Sequence, residues 1–314
     1  MIAKIPAAYD IINLYNSSIN PSSIHTKNTG LFNYYASYLF KKILSVVDFE
    51  NLPETWDANY FKYVLFGQGF VCVFKHDDYG VIPQNCSLAD TYTIFYQPKY
   101  CIVANPVLKG SLQLEIGRDC ELVKLQPDYR SVLDIVGYYA DLLAVASETA
   151  AVNLLNSKVS FIFFAKNKAI AETYKKMYDE LSSGRPFAVI DKELINEDGT
   201  HDWDFFAQNV GQNYIVDSIL DNMKTIEDQF NTKVGIPNAN TQKRERLISS
   251  EVEANDVDTR SLIDVWLDSL RNDLSRVNDH YGLQIGVKYR YDGYYNKEEV
   301  SDAENGDDQR TGAV

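Results

Sequence analysis

Three cations in four positions, Lys243, Arg244 and Arg246 around Glu245, stand inside a chain whose formal net charge is −14. Cations at that spacing can touch phosphates transiently, but without a groove to hold them against base edges they read no sequence. Pattern alone favours a solvated helix or loop face. No GxxxxGK[ST] phosphate loop and no GxSxG elbow occurs. Gly67-Gln68-Gly69 precedes a strand pattern instead of following one, and Cys72 holds the third glycine position, so the run reads as a turn. Asp77–Asp78, Asp202/Asp204 and Asp307–Asp308 fall in loop or tail sequence and read as solvated charge. His25, His76, His201 and His280 form no HxxxH or HExxH pattern. Cys72, Cys86, Cys101 and Cys120 lie 14, 15 and 19 positions apart with no CxxC pair, which predicts buried reduced thiols in place of a zinc site or a disulfide framework. The expected sets are therefore catalytic none, cofactor none and metal none.

The same charge balance bears on partners. A protein that grips DNA to read it is usually basic, because phosphate neutralisation supplies most of the affinity. A pI near 4.7 excludes that class but permits a protein that surrounds nucleic acid without holding it. The start, MIAKIPAAYD, has no apolar h-region, and no stretch reads as the roughly 18 apolar residues of a membrane span. A soluble, cytoplasmic protein with no membrane partner is the expectation.

Around these residues the sequence predicts an α+β chain. Residues 1–30 are polar and turn-rich and read as a flexible arm. Leu31, Tyr35, Tyr38, Leu39, Ile43 and Val46 recur at helical spacing, and a second short helix through Phe61 and Leu65 stops at Gly67, giving N-terminal helices over 31–66. Over 67–126, five runs (GFVCVFK, TYTIFYQ, YCIVA, LQLEI and CELVKL) predict strands of a small barrel or sandwich. A long helix is expected from Pro127 to Asn156, with Val132, Ile135, Val136, Tyr139, Leu142, Leu143 and Ala146 on its apolar side. VSFIFFA (159–165), an amphipathic helix over 167–182 and PFAVI (186–190) read as strand–helix–strand, with a crossover long enough for a parallel pair. NEDGTHDWD reads as a polar connection. A second long helix follows over 214–234, with Val216, Leu220, Met223, Ile226, Phe230 and Val234 on one side. After a charged, weakly patterned stretch, a helix over 261–281 carries Ile263, Trp266, Leu267, Leu270, Leu274, Val277 and Tyr281 and ends at Gly282, before a strand in LQIGVKYRYD. The acidic tail 297–314 reads as disordered. The two long helices bracket the strand–helix–strand unit like a stalk whose sides one subunit cannot cover.

Several uncommon strings in fixed order carry a resemblance: GIPNANTQKRERLISSEVEAND (235–256), YGLQIGVKYRYD (281–292), FENLPETW (49–56) and FGQGFVCVFKHD (66–77). Over most of residues 31–292 the chain resembles the upper collar proteins (portal proteins, or head–tail connectors) of small short-tailed double-stranded DNA phages with terminal-protein-linked genomes, the Picovirinae-type podophages. The resemblance implies a portal fold assembled as a dodecameric ring at one capsid vertex. Its parts would be an SH3-like wing over 67–126, stem helices in 127–157 and 208–237, and a clip over 158–207. A channel loop would occupy 238–255, with Lys243, Arg244 and Arg246 facing DNA, and a wide-end helix and strand 256–296. It also implies partners: DNA passing without sequence specificity, capsid and scaffold proteins, a packaging ATPase, and lower collar or tail proteins. Two departures stand out. The family's N-terminal arm is strongly basic, whereas residues 1–30 hold only Lys4 and Lys27; and the family's channel lysines correspond here to Ala207 or Gln208 and to Ser218. The competing readings are another ring-forming head–tail adaptor and a metal-dependent hydrolase built from the scattered acids.

Overall fold

The structure, a computed structural model, describes residues 25–108, 110–157, 161–165, 168–182, 203–207, 214–237 and 249–292. The chain divides into two compact units, Met1–Val145 with Lys224–Val314, and Ala146–Met223.

In the first unit, α1 (Thr29–Leu44) begins where the Asn28 side chain accepts the Leu31 N–H at 3.1 Å. Residues 25–30, expected in the arm, are anchored instead. Thr26 N–H donates to Asp141 at 2.8 Å, His25 pairs with the same carboxylate, and Thr29 and Gly30 are already helical. The turn after α1 leads into β1 (Val47–Glu50), a strand that the helical pattern through Val46 concealed. Asp57 caps α2 (Ala58–Gln68), which runs past Gly67 and stops at Gly69, φ +98.

Six strands follow: β2 (Phe70–His76), β3 (Gly80–Gln84), β4 (Ser87–Leu88), β5 (Tyr100–Asn105), β6 (Gly110–Glu115) and β7 (Cys120–Lys124). They form two antiparallel sheets, β3-β2-β7 and β4-β5-β6. Phe70, Cys72, Phe74 and Leu122 of one sheet share a buried core with Cys101 and Val103 of the other. The arrangement is a small sandwich. Pro83 is tolerated because β3 is an edge strand. The expected strand TYTIFYQ is instead a tight turn. Thr93 Oγ1 accepts the N–H groups of Phe95 and Gln97, each at 3.3 Å, Tyr96 N–H donates to Thr93 O at 3.0 Å, and Tyr96 takes φ +57. Local hydroxyl-to-backbone bonds win here over aromatic strand propensity.

The first long helix, α3, spans Leu133–Asn156 and not 127–156, because Tyr129 takes φ +65 and folds into the sandwich core. It is long and apolar enough to cross a membrane by length and composition alone, which the sequence reading missed. Within the first unit its apolar side is already covered: Val136, Tyr139, Ala140, Leu143 and Ala144 are buried, and Tyr139 stacks edge-on against Phe230 at 5.5 Å.

The second unit holds the end of α3, then β8 (Phe161–Ala165), α4 (Lys168–Ser182), β9 (Trp203–Ala207) and the start of α5 (Val216–Lys233). β8 pairs antiparallel with β9, so a strand stands where the polar connection was expected. Trp203, Phe205 and Phe206 supply the β-forming residues that the flanking acids hid. The expected strand 186–190 lies outside the described residues.

In the first unit again, α6 runs over Ser249–Tyr281, twelve residues earlier than its apolar stripe suggested, so 249–255 are helix and not loop. Ile263, Trp266, Leu267, Leu270, Leu274 and Val277 are buried as expected. Leu283 N–H donates to Asn278 O at 3.2 Å across Gly282, φ +66, closing the helix with the expected glycine cap. β7 lies against α6 through polar bonds: Asp273 accepts the Lys124 N–H at 2.8 Å, Ser269 donates to Lys124 O at 3.0 Å, and His280 meets Glu121 at 2.9 Å. The last strand, β10 (Gly286–Tyr289), pairs antiparallel with β1, and Arg290 clasps Asp48 through two bonds of 2.6 and 2.9 Å.

Candidate subunit-contact surface

Lys243, Arg244 and Arg246 lie outside the described residues, as do residues 1–24 and the tail from 293. What the structure does place are the two helices that bracket the strand pair. Within the second unit, Ser147 Oγ meets Met223 Sδ at 3.9 Å and Asn153 Oδ1 accepts the Ile215 N–H at 3.1 Å, so α3 and α5 run antiparallel there. Val216 and Ile219 turn inward and are buried. Leu220, expected on the apolar side, is 52% exposed; at 100° per residue it lies about 70° from the middle of a seam set by Val216 and Ile219, at the edge of the buried stripe. Val152, Leu154, Leu155 (61% exposed), Tyr214 and Ile215 are exposed with it. Six large apolar side chains are thus exposed at the end of α3, just before α5 and in its first turns.

The helices are also acidic. α3 carries Asp134, Asp141 and Glu148 with no lysine or arginine, and α5 carries Asp217, Asp221, Glu227 and Asp228 against Lys224 and Lys233.

Within the first unit a charge clamp fixes α5 to α1. Glu227 accepts from Tyr38 Oη at 2.6 Å and from Lys42 Nζ at 2.7 Å. Burial works against the Glu227 carboxylate, but hydrogen bonds from Lys42 and Tyr38 outweigh it and hold the group below its ordinary range. The bond to Glu227, with burial, pushes the Tyr38 phenol up to about 12.

A second exposed patch sits on the sandwich. Ile94 (86% exposed), Phe95 and Tyr96 form the tip of the turn at 93–96. The sequence flagged this aromatic run but read it as a strand, and its propensity gave no sign that it would project.

Neither patch is a catalytic arrangement. Asp77 and Asp78 occupy the exposed turn between β2 and β3, and Asp202, Asp307 and Asp308 lie outside the described residues. The cysteines, read from the sequence as buried reduced thiols, are buried and free, and the fold also gathers three of them: Cys72, Cys101 and Cys120 lie with their sulfurs all within 4.8 Å of one another.

Comparison with known proteins matches the Phage Connector (GP10) family over residues 15–293. Among solved structures, a chain in the portal and tail of native bacteriophage P68 is similar at 15% identity and TM-score 0.44, covering 90% of this chain and 95% of that one. A chain in the virion of the native gene transfer agent particle is similar at 11% identity and TM-score 0.43, covering 98% and 96%. An HK97 family phage portal protein from Corynebacterium diphtheriae is similar at 10% identity and TM-score 0.36, covering 85% and 94%. Membership rests on the family match, which spans most of the chain: this protein belongs to the Phage Connector (GP10) family, a family of structural proteins and not of enzymes.

Proposed function

We propose that the chain is the portal subunit of a short-tailed phage, assembling as a dodecameric ring at the head–tail vertex of the virion. In this reading the ring is the channel for DNA packaging and ejection and the docking site for the packaging ATPase, capsid and tail proteins. The sandwich serves as the wing, α3 and α5 as the stem, residues 158–207 as the clip, and 238–248 as the channel loop. The observation that carries the proposal is the set of bare apolar side chains on α3 and α5, Leu154, Leu155 and Leu220 among them. In a ring each subunit covers its neighbour's exposed helix face through a head-to-tail interface that repeats until it closes. The acidic stem would repel the phosphate backbone and let DNA slide. The ring itself does no ATP chemistry.

The test is assembly. The purified chain should give closed rings by electron microscopy and sedimentation. Burying a leucine contributes about 1.5–3 kcal/mol, and Leu155→Glu with Leu220→Glu removes two such side chains from every interface. Because both positions are exposed in the single subunit, the variant should keep its circular dichroism spectrum and lose the ring. A wild-type chain that stays monomeric at micromolar concentration would overturn the proposal. A variant that still closes rings would move the interface elsewhere.

A further inference from the structure

We propose that Cys72, Cys86, Cys101 and Cys120 form a tetrathiolate site for one Zn2+ that clips the two sheets of the sandwich together. All four cysteines of the chain are buried in one core cluster, although they come from four separate segments, and three of them, Cys72, Cys101 and Cys120, bring their sulfurs within 4.8 Å of one another. Cys72 and Cys120 belong to the β3-β2-β7 sheet. Their register partners are Leu122 and Phe74, which makes the two cysteines diagonal neighbours on one face. Cys101 looks back at them from β5 in the facing sheet, its Sγ 3.3 Å from Cys72 Sγ and 3.4 Å from Cys120 Sγ. Cys86, 3% exposed, enters the same buried cluster from the turn between β3 and β4; its sulfur stands outside the group of three that lie within 4.8 Å of one another, so loading must draw it in as the fourth ligand. Its carbonyl is held by the Gln68 side-chain amide, which fixes the turn.

The donor set suits zinc. Structural Zn2+ sites are closed and tetrahedral, with Zn–S near 2.3 Å, which places the sulfurs about 3.8 Å apart. The contacts at Cys101 are within about half an ångström of that spacing. Four thiolates and no carboxylate or imidazole favour zinc over the harder cations. Loading converts four thiols to thiolates around the ion and releases up to four protons to solvent. The site sits between two three-stranded sheets, and a small sandwich gains most from a link that crosses its core. The Tyr281 hydroxyl closes one end, bonded to the carbonyls of Val73 and Asp119, each one residue from a proposed ligand.

The sequence pattern hid this site because zinc ligands usually come in pairs two to four residues apart on one turn. Here single cysteines are presented by strand pairing, so their spacing reports strand lengths instead.

The test uses the full chain, produced with zinc in the medium and washed with chelator. About one zinc per chain should remain by elemental analysis, and a mercurial should release it. Refolding with Co2+ should give thiolate-to-cobalt charge-transfer absorption with tetrahedral d–d bands, and the loaded chain should melt several degrees above the metal-free one. Cys101→Ser should retain less than a tenth of the wild-type zinc. If that variant fails to fold, the wild-type zinc count and the cobalt spectrum still decide. A folded, metal-free chain with four titratable thiols after denaturation would overturn the proposal in favour of plain core thiols. A metal-free chain with two or no titratable thiols would overturn it in favour of disulfides.

Discussion

At Gly69 the chain leaves α2 with φ +98, and a Cβ added there would stand 2.5 Å from both the carbonyl carbon and the carbonyl oxygen of Arg130. Gly80, the first residue of β3, also has positive φ (+69), but nothing lies within 4 Å of an added Cβ. The two glycines therefore separate strain from collision. Gly80→Ala carries only the left-handed penalty, about 1 kcal/mol. Gly69→Ala must in addition push backbone away from backbone, which brings its cost to about 3 kcal/mol. Chemical denaturation of the two variants should show that ordering, and equal losses would mean the 129–130 segment yields freely. Much at this scale was legible. Gly282 as a helix cap and the α6 stripe were readable because both obey local rules of spacing. The convergence of the cysteines was not, because it depends on which strands pair.

Pairing between elements explains most of what the sequence concealed. β1 and β10 lie more than 230 residues apart and four residues long, too short for an alternation to register. β9 hid among acids, and α6 began inside a stretch whose charge resembled a loop. The long helices were visible because their apolar residues recur at 3.6 spacing; their outward side chains, such as Leu220, were not. The α1–α5 clamp is likewise a meeting of elements distant in sequence, and its strength can be read by pH. Tyr38→Phe removes one charge-assisted bond to Glu227, about 1 kcal/mol at most because Tyr38 is 39% exposed. The folded phenol titrates above its unfolded value, so this contribution is complete below pH 10 and lost as pH rises through about 12. Glu227 is shifted downward, so the same contribution is also lost as pH falls through its lowered folded value. The stability gap between wild type and Tyr38→Phe should thus be flat near neutrality and close at both ends of the scale. A gap that persists above pH 12 would show that Tyr38 acts through packing instead.

On the scale of the whole molecule, charge is the property that a ring would amplify. Each subunit brings −14, and the described stem helices share that sign. Lys243, Arg244 and Arg246 interrupt it, with Glu245 among them and Glu251 and Glu253 just beyond. In the assembly we propose, repetition turns that order into a positive belt beside an acidic one. Each belt would act only within a Debye length of roughly 8 Å at physiological salt. DNA threading such a ring would feel brief attraction at the belt and repulsion past it, a combination that retains DNA without anchoring it. Replacing Lys243, Arg244 and Arg246 with alanine leaves the stem helices and their exposed leucines untouched, so rings should form and packaging should begin as in wild type. The loss should appear later, as packaged DNA slipping back before the tail is attached, measurable as nuclease-sensitive genome in tailless heads. Failure of the triple variant to form rings would make these residues structural. Heads that keep their DNA as wild type does would show that the belt plays no part in retention.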